Sequence, residues 1–328
     1  MKIAIIGDGG WGTANALLLA GYGHTVTVWG VSAAYIDEIR STRLNARYLP
    51  GVAIPETIRW TADEKEAVTD ADVVVLAMPS KYFADVCARF RNLIPSGTLV
   101  VSLTKGLCEK THARMSQIAQ ETLGLARIVV LSGPTHAEEV ARGIPTTIVA
   151  AAADLADARR AQAIWNGPTL RVYTSDDPVG VEVGGAVKNV IAIAVGCSDG
   201  LGFGDNTRAA LITRGLAEVA RFASAYGANP LTVYGLSGIG DLIVTCTSSH
   251  SRNHAVGERL GHGERIEAIV GSMHMVAEGV WNAKVIRTLA QRLGVEMPIT
   301  ELVYRVCYER FSVRTAIKTL MNRAMKRE

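Results

Sequence analysis

The hydrophobic pattern divides the chain into two parts with different periodicity. In the first part, short apolar runs rich in Val and Ile are separated by amphipathic stretches, and the runs do not alternate with polar residues. Continuous apolar runs of this length are typical of parallel strands that are buried on both faces. The predicted strands are 2–6, 25–29, 72–77, 98–103, 127–131 and 146–150, with helices that include 11–21, 81–92 and 111–122. This alternation predicts an α/β domain with a doubly wound parallel sheet, whose ligands bind at the carboxyl ends of the strands.

The pattern changes near residues 175–180. Beyond them the strand signals almost vanish, and helical patterns cover 179–197, 208–226, 254–260, 278–293 and 299–308. Helical periodicity without strands predicts an all-α bundle. We therefore predict two domains, residues 1–178 and 179–328.

The first predicted strand runs directly into a glycine-rich turn, G-D-G-G-W-G, at residues 7–12. In such a turn Gly7 permits the tight bend, Gly9 lets the backbone approach a phosphate, and Gly12 lets the following helix pack against the strand. The N–H groups at the start of that helix attract an anion. The turn therefore predicts that the first domain is a Rossmann-type domain that binds a dinucleotide.

Charge and cysteine content narrow the class of protein. The 328 residues carry a formal net charge of +3, which is too small to predict a nucleic-acid partner but suits a phosphorylated substrate. The five cysteines are scattered and contain no C-x-x-C pair, which indicates a reducing compartment. No signal peptide and no uncharged stretch of membrane-spanning length is visible. We expect a cytoplasmic protein without a membrane span.

Lys188 lies in a predicted helix, residues 180–195, that is apolar on nearly every face. A helix of this kind is buried, and burial lowers the pKa of a lysine, which suits proton transfer near neutral pH. The alternative is a lysine that reaches the surface or pairs with a carboxylate such as Glu182. Gly184 and Gly185 favour the first interpretation, because they allow a ligand or another backbone to come close.

Two further charged residues occupy positions of interest. Lys105 follows the predicted strand 98–103 and is expected at the ligand-binding edge of the sheet, where it would face a substrate phosphate or carbonyl; the alternative is an ordinary surface lysine. Asp241 follows a Gly-Ile-Gly turn and precedes an apolar run. It is predicted to cap a helix, to orient a lysine or a substrate hydroxyl, or to do both.

Residues 250–254, His-Ser-Arg-Asn-His, follow a hydroxyl-rich stretch and precede a predicted helix. Hydrogen-bond donors at a helix start suit a phosphate, with arginine as a bidentate partner. His250 and His254 have metal-ligand spacing, but no third ligand is placed near them, so we predict no metal site. The other histidines show no triad pattern and are interpreted as structural or surface residues: His24, His112, His136, His262 and His274.

The motifs in their order along essentially the whole chain resemble the NAD(P)-dependent glycerol-3-phosphate dehydrogenase family. The matching segments are residues 7–14 (G-x-G-x-W-G-T-A), 45–51, 105–106, 132–138, 139–146, 187–190, 206–218, 240–246, 251–253 and 278–279. The resemblance implies reversible hydride transfer between NAD(P)H and dihydroxyacetone phosphate, giving sn-glycerol 3-phosphate. It also implies that the enzyme runs mainly toward glycerol 3-phosphate, for glycerophospholipid synthesis.

The resemblance also assigns roles to individual residues. Lys188 would be the general acid and base, and Asp241 would orient the lysine and the substrate. The catalytic residues implied are Lys188, Lys105 and Asp241. The substrate-binding residues implied are Lys105, Gly133, Thr135, Lys188, Asp241, Ser251, Arg252 and Asn253. The cofactor-binding residues implied are Gly7, Gly9, Gly10, Trp11, Gly12, Lys105, Ala137, Arg252, Val276 and Glu278.

Two other functions remain open at this point. One is a two-domain dehydrogenase of the β-hydroxy-acid or 6-phosphogluconate type, and the other is a dinucleotide sensor that does not turn over. The segment 251–253 favours a phosphate over a substrate carboxylate, and the retained Lys105, Lys188 and Asp241 argue against a sensor. The expected partners are a small phosphorylated substrate and a second copy of the chain in a homodimer.

The choice between NAD and NADP stays open in the sequence. NAD-selective units usually carry an acid about 20 residues after the glycines, on the ribose hydroxyl. Here residues 29–32 are Trp-Gly-Val-Ser, and the first acid downstream is Asp37, in a predicted helix. An arginine that is common in the family near Val31 is missing. The candidate partners of a 2′-phosphate are Ser32, Arg40, Arg43 and Arg47, and we predict use of both cofactors.

Overall fold

A computed structural model of the chain describes residues 1–273, 275–325 and 327. The prediction made for His274 lies outside the described residues. The chain forms two compact units, one of Met1–Cys108 with Ala113–Glu182 and the other of Glu109–His112 with Val183–Glu328. The predicted domain boundary at residue 178 stays a prediction.

The first unit is built on one eight-stranded sheet with the order β3-β2-β1-β4-β5-β6-β7-β8. Its strands are β1 (Lys2–Ile6), β2 (Thr25–Trp29), β3 (Arg59–Thr61), β4 (Val73–Leu76), β5 (Leu99–Ser102), β6 (Ile128–Ser132), β7 (Thr146–Ala151) and β8 (Leu170–Ser175). The predicted doubly wound sheet is confirmed, and it contains two strands that were not predicted. These are β3 and β8, which lie at the two edges; β3 is short, and β8 alternates buried and exposed residues at its start.

One neighbouring pair corrects the prediction of a parallel sheet. Strands β6 and β7 pair in antiparallel fashion, with Leu131 opposite Ala150. The connection between them, residues 133–145, contains one helix of five residues, Ala137–Ala141. A helix of that length spans about 7 Å, whereas a five-residue strand is about 17 Å long. The helix is therefore too short to return the chain to the start of β6, as a parallel strand would require, and β7 runs antiparallel to β6.

Both faces of the sheet are covered, because successive side chains of a strand point to opposite sides. Ile3 and Ile5 of β1 belong to one buried cluster, and Ala4 and Ile6 belong to the other. The helices of this unit are α1 (Gly10–Gly21), α2 (Ala33–Thr42), α3 (Glu64–Val68), α4 (Phe83–Phe90), α5 (Met115–Leu123), α6 (Ala137–Ala141) and α7 (Leu155–Trp165).

The second unit is helical throughout its described part, which confirms the all-α prediction. It takes most of α8 (Pro178–Gly200), whose first five residues belong to the first unit. Its other helices are α9 (Asp205–Ala225), α10 (Asp241–Thr247), α11 (Arg252–Gly261), α12 (Ile266–Gly271), α13 (Glu278–Arg292), α14 (Pro298–Tyr308) and α15 (Val313–Met321). Helices α12 and α15 were not predicted, since each is short.

Helix α8 is long and apolar enough to cross a membrane by length and composition, and it is the one described helix that passes this test. Of its most apolar 18-residue window, 89% is buried inside the protein. A helix in the core of a protein has the same length, hydropathy and burial, so the hydropathy of α8 is weak evidence for a membrane span.

Candidate active site

The glycine turn between β1 and α1 has the geometry that the sequence predicts. Gly7 has φ +126°, and a Cβ on it would stand 2.6 Å from the carbonyl oxygen of Ala77 at the end of β4. A Cβ on Gly12 would overlap the carbonyl oxygen of Gly7. A Cβ on Gly9 would meet nothing within 4 Å, so this face of the turn is open. The first turn of α1 has neither a side-chain cap nor an acidic residue, and its N–H groups therefore suit a pyrophosphate.

The start of helix α6 lies beside this turn. A Cβ added to Gly10 would stand 2.5 Å from the carbonyl oxygen of Tyr48 and 3.8 Å from the Cβ of Ala137. Gly10 is therefore packed closely between these two residues. Trp11 packs on the core of the same unit. Gly10, Trp11 and Ala137, which the family resemblance assigns to the cofactor, are thus close together in the first unit.

Lys105, Gly133 and Thr135 also come together in the first unit, just beyond the ends of β5 and β6. The Lys105 ammonium donates a hydrogen bond to the carbonyl oxygen of Gly133 at 3.0 Å, and the Thr135 hydroxyl donates to the same oxygen at 3.1 Å. A Cβ on Gly133 would stand 3.1 Å from the backbone of Ile148. Glycine at this position lets the two polar side chains converge on one carbonyl at the ligand-binding edge of the sheet.

Lys188 is buried in the second unit and is held by two side chains of α10. Its ammonium donates to Asp241 Oδ1 at 2.5 Å and to Thr245 Oγ1 at 2.6 Å. The three side chains are 6%, 1% and 4% exposed. Because a carboxylate is in direct contact, the charged ammonium is stabilised although it is buried.

The structure gives the partner of Lys188 and the position of Asp241 in its helix. Glu182 accepts hydrogen bonds from Arg114 and Ser116 of the first unit, each at 2.6 Å, so Lys188 pairs with Asp241 instead. Asp241 is not an N-cap, because α10 begins at Asp241 itself and Gly240 precedes it.

Sequence reasoning missed Thr245. Its hydroxyl accepts from Lys188 and donates to the main-chain carbonyl of Asp241 at 2.6 Å. The available signal was the spacing of four residues from Asp241, which places both side chains on one face of a helix.

Glycines of α8 let neighbouring backbones come close. For Gly184 the sequence predicted the approach of either a ligand or another backbone, and the structure shows a backbone there. A Cβ on Gly184 would stand 2.8 Å from the carbonyl oxygen of Ser237, in the turn that leads into α10. Farther along α8, a Cβ on Gly196 would overlap the carbonyl oxygen of His254, and one on Gly257 would overlap that of Ile193. The close contact between α8 and α11 fixes the start of α11 relative to the helix that carries Lys188.

The three residues predicted to bind phosphate lie at the start of α11. The Ser251 hydroxyl caps the helix by accepting from the His254 N–H at 3.2 Å. The Asn253 amide is buried; it donates to Asn189 Oδ1 at 2.9 Å and accepts from the Gly279 N–H at 2.8 Å. Ser251 and Asn253 therefore support α11 and its neighbours, whereas the Arg252 side chain is exposed.

Arg252 and Val276, both assigned to the cofactor by resemblance, are in contact. The Arg252 guanidinium donates to the carbonyl oxygen of Val276 at 2.9 Å. Glu278 is the first residue of α13. His254 pairs with Asp199 at 2.7 Å, and no group of three potential metal ligands was found among the described residues.

The candidate partners of a 2′-phosphate differ in their surroundings. Ser32 caps α2 through the N–H of Tyr35. Arg40 donates to the carbonyl oxygen of Trp60 at 2.8 Å, and Arg43 donates to main-chain carbonyls of the segment 54–58. Arg47 instead lies over the ring of Tyr35, 4.3 Å from its centre, and its side chain is exposed, as is that of Arg40.

Two family models match the chain in succession. The N-terminal model of NAD-dependent glycerol-3-phosphate dehydrogenase matches residues 2–158, and the C-terminal model of the same enzyme matches residues 177–318. Relatives named glycerol-3-phosphate dehydrogenase (NAD(P)+) cover the chain fully. The protein of Geobacillus kaustophilus is 49% identical, with 96% of its length matched, and that of Chlorobium phaeobacteroides strain BS1 is 46% identical, with 99% matched.

A solved structure agrees with the sequence relatives. The crystal structure of glycerol-3-phosphate dehydrogenase from Coxiella burnetii has a TM-score of 0.95 and 38% identity, and it covers 98% of this chain and 99% of its own. More distant dehydrogenases, such as a ketopantoate reductase of Ralstonia eutropha at 18% identity, share the fold alone. The full-length matches show that the chain belongs to the family of NAD(P)-dependent glycerol-3-phosphate dehydrogenases, and the glycine turn and the paired Lys188 agree with this assignment.

Proposed function

We propose that this protein transfers hydride reversibly between NAD(P)H and dihydroxyacetone phosphate, giving sn-glycerol 3-phosphate, and that Lys188 is its general acid and base. The observation that carries the assignment is the buried contact of Lys188 with Asp241 and Thr245. A buried ammonium that is held in one place by two acceptors can deliver a proton to a defined atom.

In the direction of reduction, Lys188 donates a proton to the carbonyl oxygen of the substrate and becomes a neutral amine. The bound, reduced nicotinamide supplies the hydride that the carbonyl carbon receives. The carbonyl double bond thus becomes a C–H and an O–H bond, and solvent reprotonates Lys188. In the reverse direction Lys188 removes the hydroxyl proton. Asp241 stabilises the positive charge of the ammonium form, and Thr245 fixes the position of Nζ.

Each unit contributes a set of binding residues to this proposal. In the first unit, the open face of the glycine turn and Ala137 would hold the dinucleotide, and Lys105 would contact both ligands. Gly133 and Thr135 would contact the substrate. In the second unit, Val276 and Glu278 would contact the dinucleotide.

The phosphate of the substrate is assigned to the start of α11. Arg252 would form charge-assisted hydrogen bonds with it, and the first N–H groups of the ten-residue helix would add an attractive field. Ser251 and Asn253 would contact the phosphate while they keep this helix start in place, a role that their hydrogen bonds support. Arg252 would also contact the cofactor.

Direction, location and assembly are further parts of the proposal. We assign the enzyme to the synthesis of glycerol 3-phosphate for glycerophospholipids, in the cytoplasm. The five free cysteines, four of them buried, support a reducing compartment. A homodimer is proposed because the second unit exposes the apolar side chains of Leu231 and Tyr234. Sedimentation velocity tests the dimer, and cell fractionation tests the location.

The absorbance of reduced nicotinamide tests the activity directly. Purified protein should oxidise NADH or NADPH when dihydroxyacetone phosphate is added, and should do so far less with dihydroxyacetone, which lacks the phosphate. The alternatives make other predictions: a 6-phosphogluconate type enzyme would reduce NADP with 6-phosphogluconate, and a sensor would bind NAD(P)H without turnover. Either result would replace the proposal.

A further inference from the structure

The residue that follows β2 is Gly30, but a carboxylate lies against it. Strands β1 and β2 pair in parallel, with Ile6 opposite Trp29, so the residues after the two strands lie side by side. A Cβ on Gly30 would stand 2.7 Å from Oδ2 of Asp8, the second residue of the glycine turn. The side chains of Asp8 and Ile36 therefore occupy the space that a side chain at position 30 would fill.

This place has a known chemistry in dinucleotide-binding folds. An acid at the end of the second strand accepts a hydrogen bond from the ribose 2′-hydroxyl of NAD, and the same negative charge repels the 2′-phosphate of NADP. In this chain the second strand ends without an acid. The structure supplies the carboxylate at the same strand end from the turn before α1, through Asp8.

An arginine opposes the charge of Asp8. Asn45 donates to the main-chain carbonyl of Asp8 at 2.8 Å and accepts from the Tyr35 hydroxyl at 2.6 Å. Two residues further on, the exposed guanidinium of Arg47 lies over the Tyr35 ring. Burial raises the pKa of Asp8, and the positive charge of Arg47 counteracts this rise. Asp8 and Arg47 thus place opposite charges beside the end of β2.

We propose that Asp8 is a specificity-determining residue that favours the unphosphorylated ribose of NAD(H), and that Arg47 is the opposing determinant that favours the 2′-phosphate of NADP(H). This proposal rests on the dinucleotide binding in the proposed function. It accounts for the use of both cofactors by a chain that has no acid after β2.

Binding of two fragments to the purified full-length protein tests the assignment without turnover. Calorimetry would give Kd for ADP-ribose and for 2′-phospho-ADP-ribose, and the ratio of the two is the readout. In Asp8→Asn, an isosteric change, the ratio should move toward the phosphorylated fragment by about tenfold, because a like charge is removed. In Arg47→Gln it should move by about tenfold in the opposite direction.

Asp70→Asn is the matched control, since it removes an exposed carboxylate that pairs with Lys2, at the other end of β1. If the ratio in Asp8→Asn moves no further than in this control, the role of Asp8 is wrong. If Arg47→Gln does not move the ratio in the opposite direction, the opposing role of Arg47 is wrong. A wild-type protein that binds the fragments but does not reduce dihydroxyacetone phosphate would contradict the proposed function alone.

Discussion

Lys188 and Asp241 form a buried ion pair, with 2.5 Å between Nζ and Oδ1. They lie on α8 and α10 and are 53 residues apart in the chain. Transfer of two charges out of water is costly, and removal of one partner leaves the other charge buried without compensation. The pair therefore matters to both the proposed chemistry and the stability of the second unit.

Asp241→Asn should reduce both activity and stability. We expect kcat to fall by about a hundredfold, because the amide neither neutralises nor orients Lys188 in the same way. We expect the free energy of unfolding to fall by about 3 kcal/mol, the lower range for breaking a buried pair. Steady-state kinetics and urea unfolding measure the two effects. Asp205→Asn, at a largely exposed carboxylate, should change neither, and a fully active Asp241→Asn would contradict the account.

Arg252→Ala should act mainly on substrate affinity. Loss of a charge-assisted contact with the phosphate is expected to raise KM for dihydroxyacetone phosphate by about tenfold or more. Arg265→Ala is the control, because that arginine is exposed at the start of α12 and has no proposed role. An unchanged KM in Arg252→Ala would remove this residue from phosphate binding.

Gly257→Ala should destabilise the second unit. The added Cβ would overlap the carbonyl oxygen of Ile193, and overpacking of this kind costs about 1–3 kcal/mol or more. Gly271→Ala provides a matched control, since a Cβ there meets nothing within 4 Å. Thermal unfolding of the two variants should differ clearly. Equal melting temperatures would show that α8 and α11 are not in close contact.

Glu218 should make stability depend on pH. Burial raises the pKa of Glu218 from 4.5 to about 7, although it accepts hydrogen bonds from the N–H groups of Ile299 and Thr300 at the start of α14. Because the folded pKa lies above the unfolded one, the folded state retains this proton as pH rises from 4.5 toward 7. The stability linked to it is fully present below 4.5 and is lost as pH rises through about 7.

For a pKa shift of this size, the free energy of unfolding should fall by about 3 kcal/mol between the two pH limits. Urea unfolding at about pH 5 and about pH 8 should show a drop in the wild type that is absent from Glu218→Gln, which does not titrate. If both proteins lose the same stability over this range, another group is responsible.

Local sequence rules predicted much of the first unit because its signals are local. The strand 2–6, the turn at Gly7 and Gly12 and the start of α1 follow from residues that are adjacent in the chain. The antiparallel placement of β7 did not follow, since it depends on the length of the short helix α6. The edge strand β8 was missed because only its first residues alternate in burial.

The candidate site was less accessible to sequence reasoning. Lys188 was identified from the apolar residues around it. Its pairing with Asp241, which lies on a distant helix, was assigned only by the family resemblance. The two hydrogen bonds of the Asn253 side chain join α8, α11 and α13. No local sequence pattern predicts contacts among three separate helices. Asp8 was overlooked for the same reason, because its contact with Gly30 depends on the register of β1 and β2.

The most direct test of the central claim is kcat of Lys188→Ala for the reduction of dihydroxyacetone phosphate, with NADH or NADPH at saturation. The account predicts that kcat falls by about a thousandfold while the Kd of the reduced dinucleotide, measured by its fluorescence, stays close to the wild-type value. A variant that retains nearly full kcat with a normal Kd would contradict the assignment of Lys188 as the general acid and base.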